Sequence, residues 1–208
     1  LIEEPLAAAL GAKLPISQAS GQMIVNIGGG TTEIAVISLG QLVVYKTVRI
    51  AGTKLDEAVM TELRKKHNMI IGERTAEDIK IKIGNALIDE KKESERKMEV
   101  KGRDFQSGLP KIYEIGEKDV NLALSKPLKG ILDGIKEVLS QTPPELAADI
   151  VDKGIVLSGG TALLTNLDRY ITYYTGVSSF VVDEPLFCVI RGVGMAIENL
   201  DSFKDAIR

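Results

Sequence analysis

Residues 23–40, MIVNIGGGTTEIAVISLG, restrict the fold more tightly than any other part of the chain. Apolar runs rich in β-branched residues flank three glycines and two threonines, so one strand enters the turn and a second leaves it. Such bare backbone can take up φ > 0 and approach an anion closely, letting successive N–H groups converge on phosphate oxygens. No Gly-Lys-Ser/Thr follows the glycines, which excludes a P-loop, and the following strand excludes the Rossmann fingerprint, which needs a helix there. A hairpin that clasps phosphate remains, alongside a tight turn with no ligand.

The design recurs in GIVLSGGTALLTNLDRYITYYTG, residues 154–176. A strand runs into Gly159 and Gly160, and a helix is expected to begin directly after them, adding its positive end to the turn. Either turn alone can be purely structural. Two in one chain favour a ligand that carries phosphate.

Periodicity organises the rest. EEPLAAALGA predicts a short first helix with Pro5 in its first turn. QLVVYKTVRI continues the first hairpin into a three-stranded meander. From Thr53 the period changes, and Leu55, Val59, Met60 and Leu63 share one face of an amphipathic helix. GERTAEDIKIKIGNAL predicts a second helix, capped near Thr75, with Ala76, Ile79, Ile83 and Leu87 along one side. The charged run DEKKESER, residues 89–96, predicts a solvated loop. KMEVKGRD and LPKIYEIG predict a two-stranded excursion around Gly108, and a helix follows from Glu117 to Gln141 with a kink or break at Pro127. After TPPEL restarts a short helix, SSFVV predicts a strand and PLFCVIRGVGMAIENL a closing helix whose glycines face a close neighbour.

Composition excludes several classes. A net charge of −3 with scattered Lys and Arg leaves no basic stripe for nucleic acid. The single cysteine, Cys188, cannot form an internal disulfide, and no apolar run approaches the roughly 18 residues of a spanning helix, so a cytoplasmic home with at most peripheral membrane contact is expected. Cys188 reads as a buried thiol, and His67, after a basic run at a helix end, as a partner of terminal carbonyls. Tyr170, Tyr173 and Tyr174 read as packing or an interface patch, and no Cys/His cluster supports zinc. The chain lacks an initiator Met and opens in mid-pattern, as the C-terminal part of something longer would.

A strand–glycine–strand phosphate clasp is the device of the actin and heat-shock-kinase superfamily. LIEEPLAAALGA, IGGGTTEIAVISLG, GERTAEDIKIKIG, TPPELAADIVDKGIVLSGGTALLTNLDRY and RGVGMAIE, in that order over nearly the whole chain, resemble the C-terminal half of the MreB family, bacterial actin homologues that direct rod shape. The resemblance implies an α/β, actin-like ATPase (ribonuclease H-like) fold: a mixed sheet flanked by helices, with a small inserted subdomain. Residues 1–50 and 124–208 would form the larger subdomain and 51–123 the insertion, with the family's N-terminal half absent and the cleft open on that side.

Carried over by position, Gly28, Gly29 and Gly30 match the family's second phosphate turn. Ala76, Glu77, Asp78, Ile79 and Lys80 match the helix that meets ribose and adenine, and Gly159, Gly160, Thr161 and Ala162 match the adenosine motif. Glu4 matches the residue that orients the attacking water; read without the resemblance, it is a helix-start carboxylate satisfying free N–H groups.

Three positions depart from the family pattern. Asn26 stands where the family has the Asp that helps hold Mg²⁺ and its waters, so hydrolysis is expected to suffer more than nucleotide binding. Thr53 stands where the family's GD is usual, and Thr161 replaces a third glycine, where a β-branched residue tolerates φ > 0 poorly and would reshape the loop. These departures fit a specialised paralogue, a decaying site or an engineered chain.

The resemblance implies ATP and Mg²⁺ as cofactors, head-to-tail self-association into filaments at the inner face of the cell membrane, and morphogenetic membrane partners such as RodZ-like proteins. The isolated chain is expected to be inactive as an ATPase. A non-hydrolysing regulator that copolymerises with an active paralogue and an actin-fold metabolite kinase are the alternatives, and Asn26 favours the regulator over the kinase.

Overall fold

The computed structural model describes residues 1–88 and 96–199. A five-stranded sheet is built from β1 (Gln22–Ile27), β2 (Thr32–Ser38), β3 (Gln41–Val48), β7 (Ile155–Ser158) and β8 (Ser179–Val181), in the order β3-β2-β1-β7-β8. β1, β2 and β3 form the expected antiparallel meander, whereas β7 and β8 join in parallel, giving a mixed sheet.

Alternation along the central strands sends side chains to two cores. Met23, Val25, Ile27, Ile34 and Val36 face one side, where α4 (Glu117–Gln141) packs. Ile24, Ala35 and Ile37 face the other, where they meet α1 (Glu4–Gly11) and α7 (Cys188–Glu198). Burial on both faces explains why all six residues of β1 are buried and why Met23, Ile24 and Val25 are apolar without alternation.

The first and last helices touch through their backbones. A Cβ at Gly192 would lie 1.7 Å from the carbonyl oxygen of Ala7, and one at Gly11 would lie 1.8 Å from that of Cys188. The expected close neighbour is therefore α1, for Gly192; Gly194 faces open space. Cys188 is fully buried at this contact, as its apolar setting predicts.

A second sheet, β4 (Met69–Ile70), β5 (Lys97–Asp104) and β6 (Pro110–Gly116), is antiparallel and lies in sequence between β3 and α4. α2 (Gly52–His67) buries Leu55, Val59 and Leu63, and α3 (Glu73–Ile83) buries Ala76, Ile79 and Ile83. One apolar cluster continues from the central strands through these helices to Val100 and Ile115.

Several expectations change. α3 stops at Ile83 because Gly84 is extended, so Leu87 lies beyond the helix, and its N-cap is Gly72 with no contribution from Thr75. α4 is helical on both sides of Pro127, so the alternative of a break there does not occur. A mid-helix proline costs about 3 kcal/mol, and the buried stripe of Val120, Leu124, Leu128, Ile131, Ile135 and Val138 offsets that cost along the whole helix. No helix begins directly after Gly159 and Gly160. Beyond α5 (Pro144–Lys153), the short helix that TPPEL predicts, a single 3-10 turn (Gly160–Leu163) starts at the second glycine, and α6 (Leu167–Thr175) starts only after Asn166 at φ 59°. His67 stacks on Tyr113 at 4.1 Å between centroids and lies 3.8 Å from Asp119, so its partners are side chains where terminal carbonyls were expected. Burial holds the His67 imidazole below its usual pKa. The charged run at 89–95 falls outside the described residues.

Candidate nucleotide cleft

Where the two glycine turns meet the starts of α1 and α2 and one face of α3, a cleft of about 650 Å³ opens. Parallel pairing of β1 with β7 puts Asn26 beside Ser158, so both strands deliver their glycines to the same edge of the sheet. Glu4, Asn26, Gly28, Gly29, Glu77, Lys80, Gly159, Gly160 and Thr161 line the cleft. Sequence reasoning named all of these.

The first turn is tied down through its carbonyls. The Gly28 carbonyl accepts from the Gly52 N–H at 3.1 Å and from the Thr161 hydroxyl at 2.8 Å, and the Gly29 carbonyl accepts from the Thr53 N–H at 2.8 Å. The N–H groups of Gly29 and Gly30 make no hydrogen bond among the described residues. Open N–H groups on a bare turn are the donors an anion needs.

Thr161 does not reshape the second turn as its β-branch predicts. Positive φ falls on Gly159 (φ 85°), where a Cβ would lie 2.3 Å from the carbonyl oxygen of Ile27, while Thr161 stays out of the left-handed region. Its hydroxyl thereby becomes a cross-link between the turns.

Asn26 is 3% exposed and engaged at both ends of its amide. Its Nδ2 donates to Glu4 Oε1 at 2.8 Å, and its Oδ1 accepts from Ser158 Oγ at 3.0 Å. The side chain is a donor toward Glu4, a role that an ionised carboxylate cannot fill.

Across the cleft, Lys80 Nζ lies 2.9 Å from Asp56 Oδ1 and 3.0 Å from Oδ2, and reaches the Gly52 carbonyl at 3.5 Å. Burial pushes the Asp56 carboxyl above its ordinary pKa, against the opposing pull of Lys80. Asp56, Gly52 and Ser158 were missed in the sequence, where Asp56 reads as one more acid on the polar face of α2. The signal available was Gly52 and Thr53 at a strand-to-helix junction directly after the meander.

Other expected residues lie elsewhere. Ala76 and Ile79 are fully buried in the core, so α3 offers Glu77 and Lys80 to the cleft while those two anchor the helix behind it. Asp78 is exposed outside the lining, Gly30 is exposed at the turn, and Ala162 is buried.

The MreB/Mbl protein family model matches residues 1–205. Over 201 residues the chain is 48% identical to the cell shape-determining protein MreB of Escherichia coli (strain K12), covering 97% of this chain and 57% of that protein. It is 43% identical to the cell shape-determining protein Mbl of Bacillus subtilis (strain 168), covering 97% of this chain and 60% of the relative. MreB5 of Spiroplasma citri bound to ADP superposes with a TM-score of 0.91 at 37% identity, over 98% of this chain and 61% of that one. The MamK double helical filament, at 22% identity and a TM-score of 0.77 over 95% of this chain and 59% of that one, shares the actin-like fold. The chain thus spans about three fifths of the length of the relatives it matches. Family model, identity and superposition agree with the α/β mixed-sheet architecture and its paired glycine turns, and the chain belongs to the MreB/Mbl family.

Proposed function

We propose that this chain forms the second wall of an ATP cleft in an actin-like filament protein that determines rod cell shape. The observation that carries the reading is the pair of glycine turns joined at the Gly28 carbonyl, with the N–H groups of Gly29 and Gly30 left open. Structures of MreB5 of Spiroplasma citri with ADP and with AMPPNP support nucleotide as the ligand class. Gly29 and Gly30 donate their N–H groups to the phosphates while Gly28 anchors the turn, Glu77 and Lys80 of α3 face the ribose and adenine, and Gly159, Gly160 and Thr161 bound the adenosine. Residues 51–123 serve as the smaller subdomain and the remainder as the larger.

The donor set does not fit a protein-held Mg²⁺ ion. No group of three or more His, Cys, Asp or Glu that could hold a metal occurs among the described residues, and Asn26 is neutral and already bonded at both ends. Metal at this site accompanies the nucleotide phosphates. Hydrolysis is accordingly weak, and the protein holds nucleotide longer than it turns it over. The same engagement of Asn26 favours a second reading, a non-hydrolysing regulator that copolymerises with an active paralogue.

Filament growth is head-to-tail, a heterologous association that does not close, and it takes place at the cytoplasmic face of the inner membrane with morphogenetic membrane proteins as partners. No helix among the described residues is long and apolar enough to cross a membrane. The test is ATP-dependent pelleting and phosphate release by the protein extended to the length of its relatives. Pelleting with slow phosphate release supports the filament reading, pelleting only when mixed with an active relative supports the regulator, and no pelleting in either case removes both.

A further inference from the structure

On α4, Lys118, Leu122, Lys126, Lys129, Asp133 and Lys136 are all exposed and recur every three or four residues, so they share one face. The stripe is about 27 Å long at 1.5 Å per residue. It forms one wall of a groove of about 1130 Å³ whose other wall is α6, through Tyr170 and Tyr174, with Leu87 and Ile88 adding apolar surface.

The charge of this groove opposes that of the chain. Five lysines and two aspartates line it, in a protein whose net charge is −3. Asp119 is already paired with Lys66, and no ion pair to Lys126 or Lys129 exists among the described residues. Lys136 lies 5.8 Å from the ring centroid of Tyr174, which is itself 45% exposed, so cation and ring form one amphipathic ledge. A merely solvated helix face needs neither concavity nor an aromatic wall.

We propose that the groove between α4 and α6 binds an acidic, helical protein segment. Its carboxylates meet Lys126, Lys129 and Lys136, and apolar side chains pack against Leu122 and, about 21 Å farther along the groove, against Tyr174. A groove between two helices fits a peptide segment, whereas a bilayer is met by an amphipathic helix with a continuous projecting apolar face.

Fluorescence anisotropy with a labelled acidic amphipathic peptide of about 18 residues, the length of the stripe, tests the proposal on the 208-residue chain. Saturable binding that weakens with salt is expected, together with loss of about tenfold or more in the Lys126→Glu/Lys129→Glu double variant. A basic version of the peptide should then bind the reversed groove, while a version with Gln for every Glu should bind neither. Thermal melts of the double variant and of a milder Lys126→Ala/Lys129→Ala pair separate lost binding from lost folding. Absence of binding by the acidic peptide, equal binding by the native and charge-reversed chains, or binding by the Gln peptide overturns the proposal. So does charge reversal that releases the chain from phosphatidylglycerol vesicles while leaving peptide binding unchanged.

Discussion

The side-chain amide of Asn26 donates to the carboxylate of Glu4 across 2.8 Å, while Ser158 fixes the other end of that amide. An acid at position 26 would confront Glu4 as a second acid. Burial at position 26 and the nearby Glu4 carboxylate both disfavour an ionised Asp there, although Glu4 is exposed and partly screened by solvent. For Asn26→Asp the folded-state pKa of the new carboxyl is raised, so stability matches the native chain below about pH 4 and falls by about 1 kcal/mol as pH rises to neutrality. Urea unfolding at several pH values checks this, and phosphate release by the same variant in the extended protein shows whether the restored charge also restores turnover.

Thr161→Val removes the hydroxyl that joins the two turns and keeps the shape of the side chain. The Gly28 carbonyl still accepts from Gly52, so the loss should be modest, about 1 kcal/mol, with Thr161→Ser retaining most of the native stability. Faster hydrogen exchange at the bonded amides of Gly28 and Gly52 in the Val variant alone is the accompanying signature.

Gly192→Ala and Gly194→Ala share a helix and differ in surroundings. At 192 the new methyl would collide with the backbone of Ala7, and α1 must shift or part, at a cost of about 3 kcal/mol or more. At 194 nothing lies within 4 Å, so the change is neutral or gains about 0.5–1 kcal/mol from helix propensity. Paired thermal melts decide it.

Glu117 predicts an acid-sensitive joint. Burial alone would raise its pKa, but hydrogen bonds from Arg96 and Asn85 outweigh burial and hold the carboxyl below its ordinary value. A depressed carboxylate contributes stability above the unfolded-state pKa and loses it as pH falls through the folded one. Native protein should therefore lose stability more steeply than Glu117→Gln as pH drops below about 4.5, measured by melting temperature against pH.

Helix period gave α2 and α3 because each buries one continuous face, while the meander and the β5–β6 hairpin were read from β-rich runs separated by glycine turns. β4 is only two residues long and leaves no period to detect. Pro127 was misleading because local propensity carries no knowledge of the core beneath α4. At the cleft, glycine spacing was legible, whereas the Thr161–Gly28 and Asn26–Ser158 bonds join residues more than a hundred positions apart and exist only once β1 and β7 pair. Asp56 became visible only when α3 brought Lys80 to it.

The unbroken course of α4 has a mechanical meaning. Its first residue is tied through Glu117 to Arg96 and Asn85 beside the small sheet, and farther along Gly134 rests against Val48 and Ile34 of the large one. A helix of 25 residues is about 37 Å long, so a tilt of about 5° at one end displaces the other by roughly 3 Å. Because α4 stays helical from end to end, it acts as a lever, and a reorientation of the small sheet is felt at the outer strand of the large sheet.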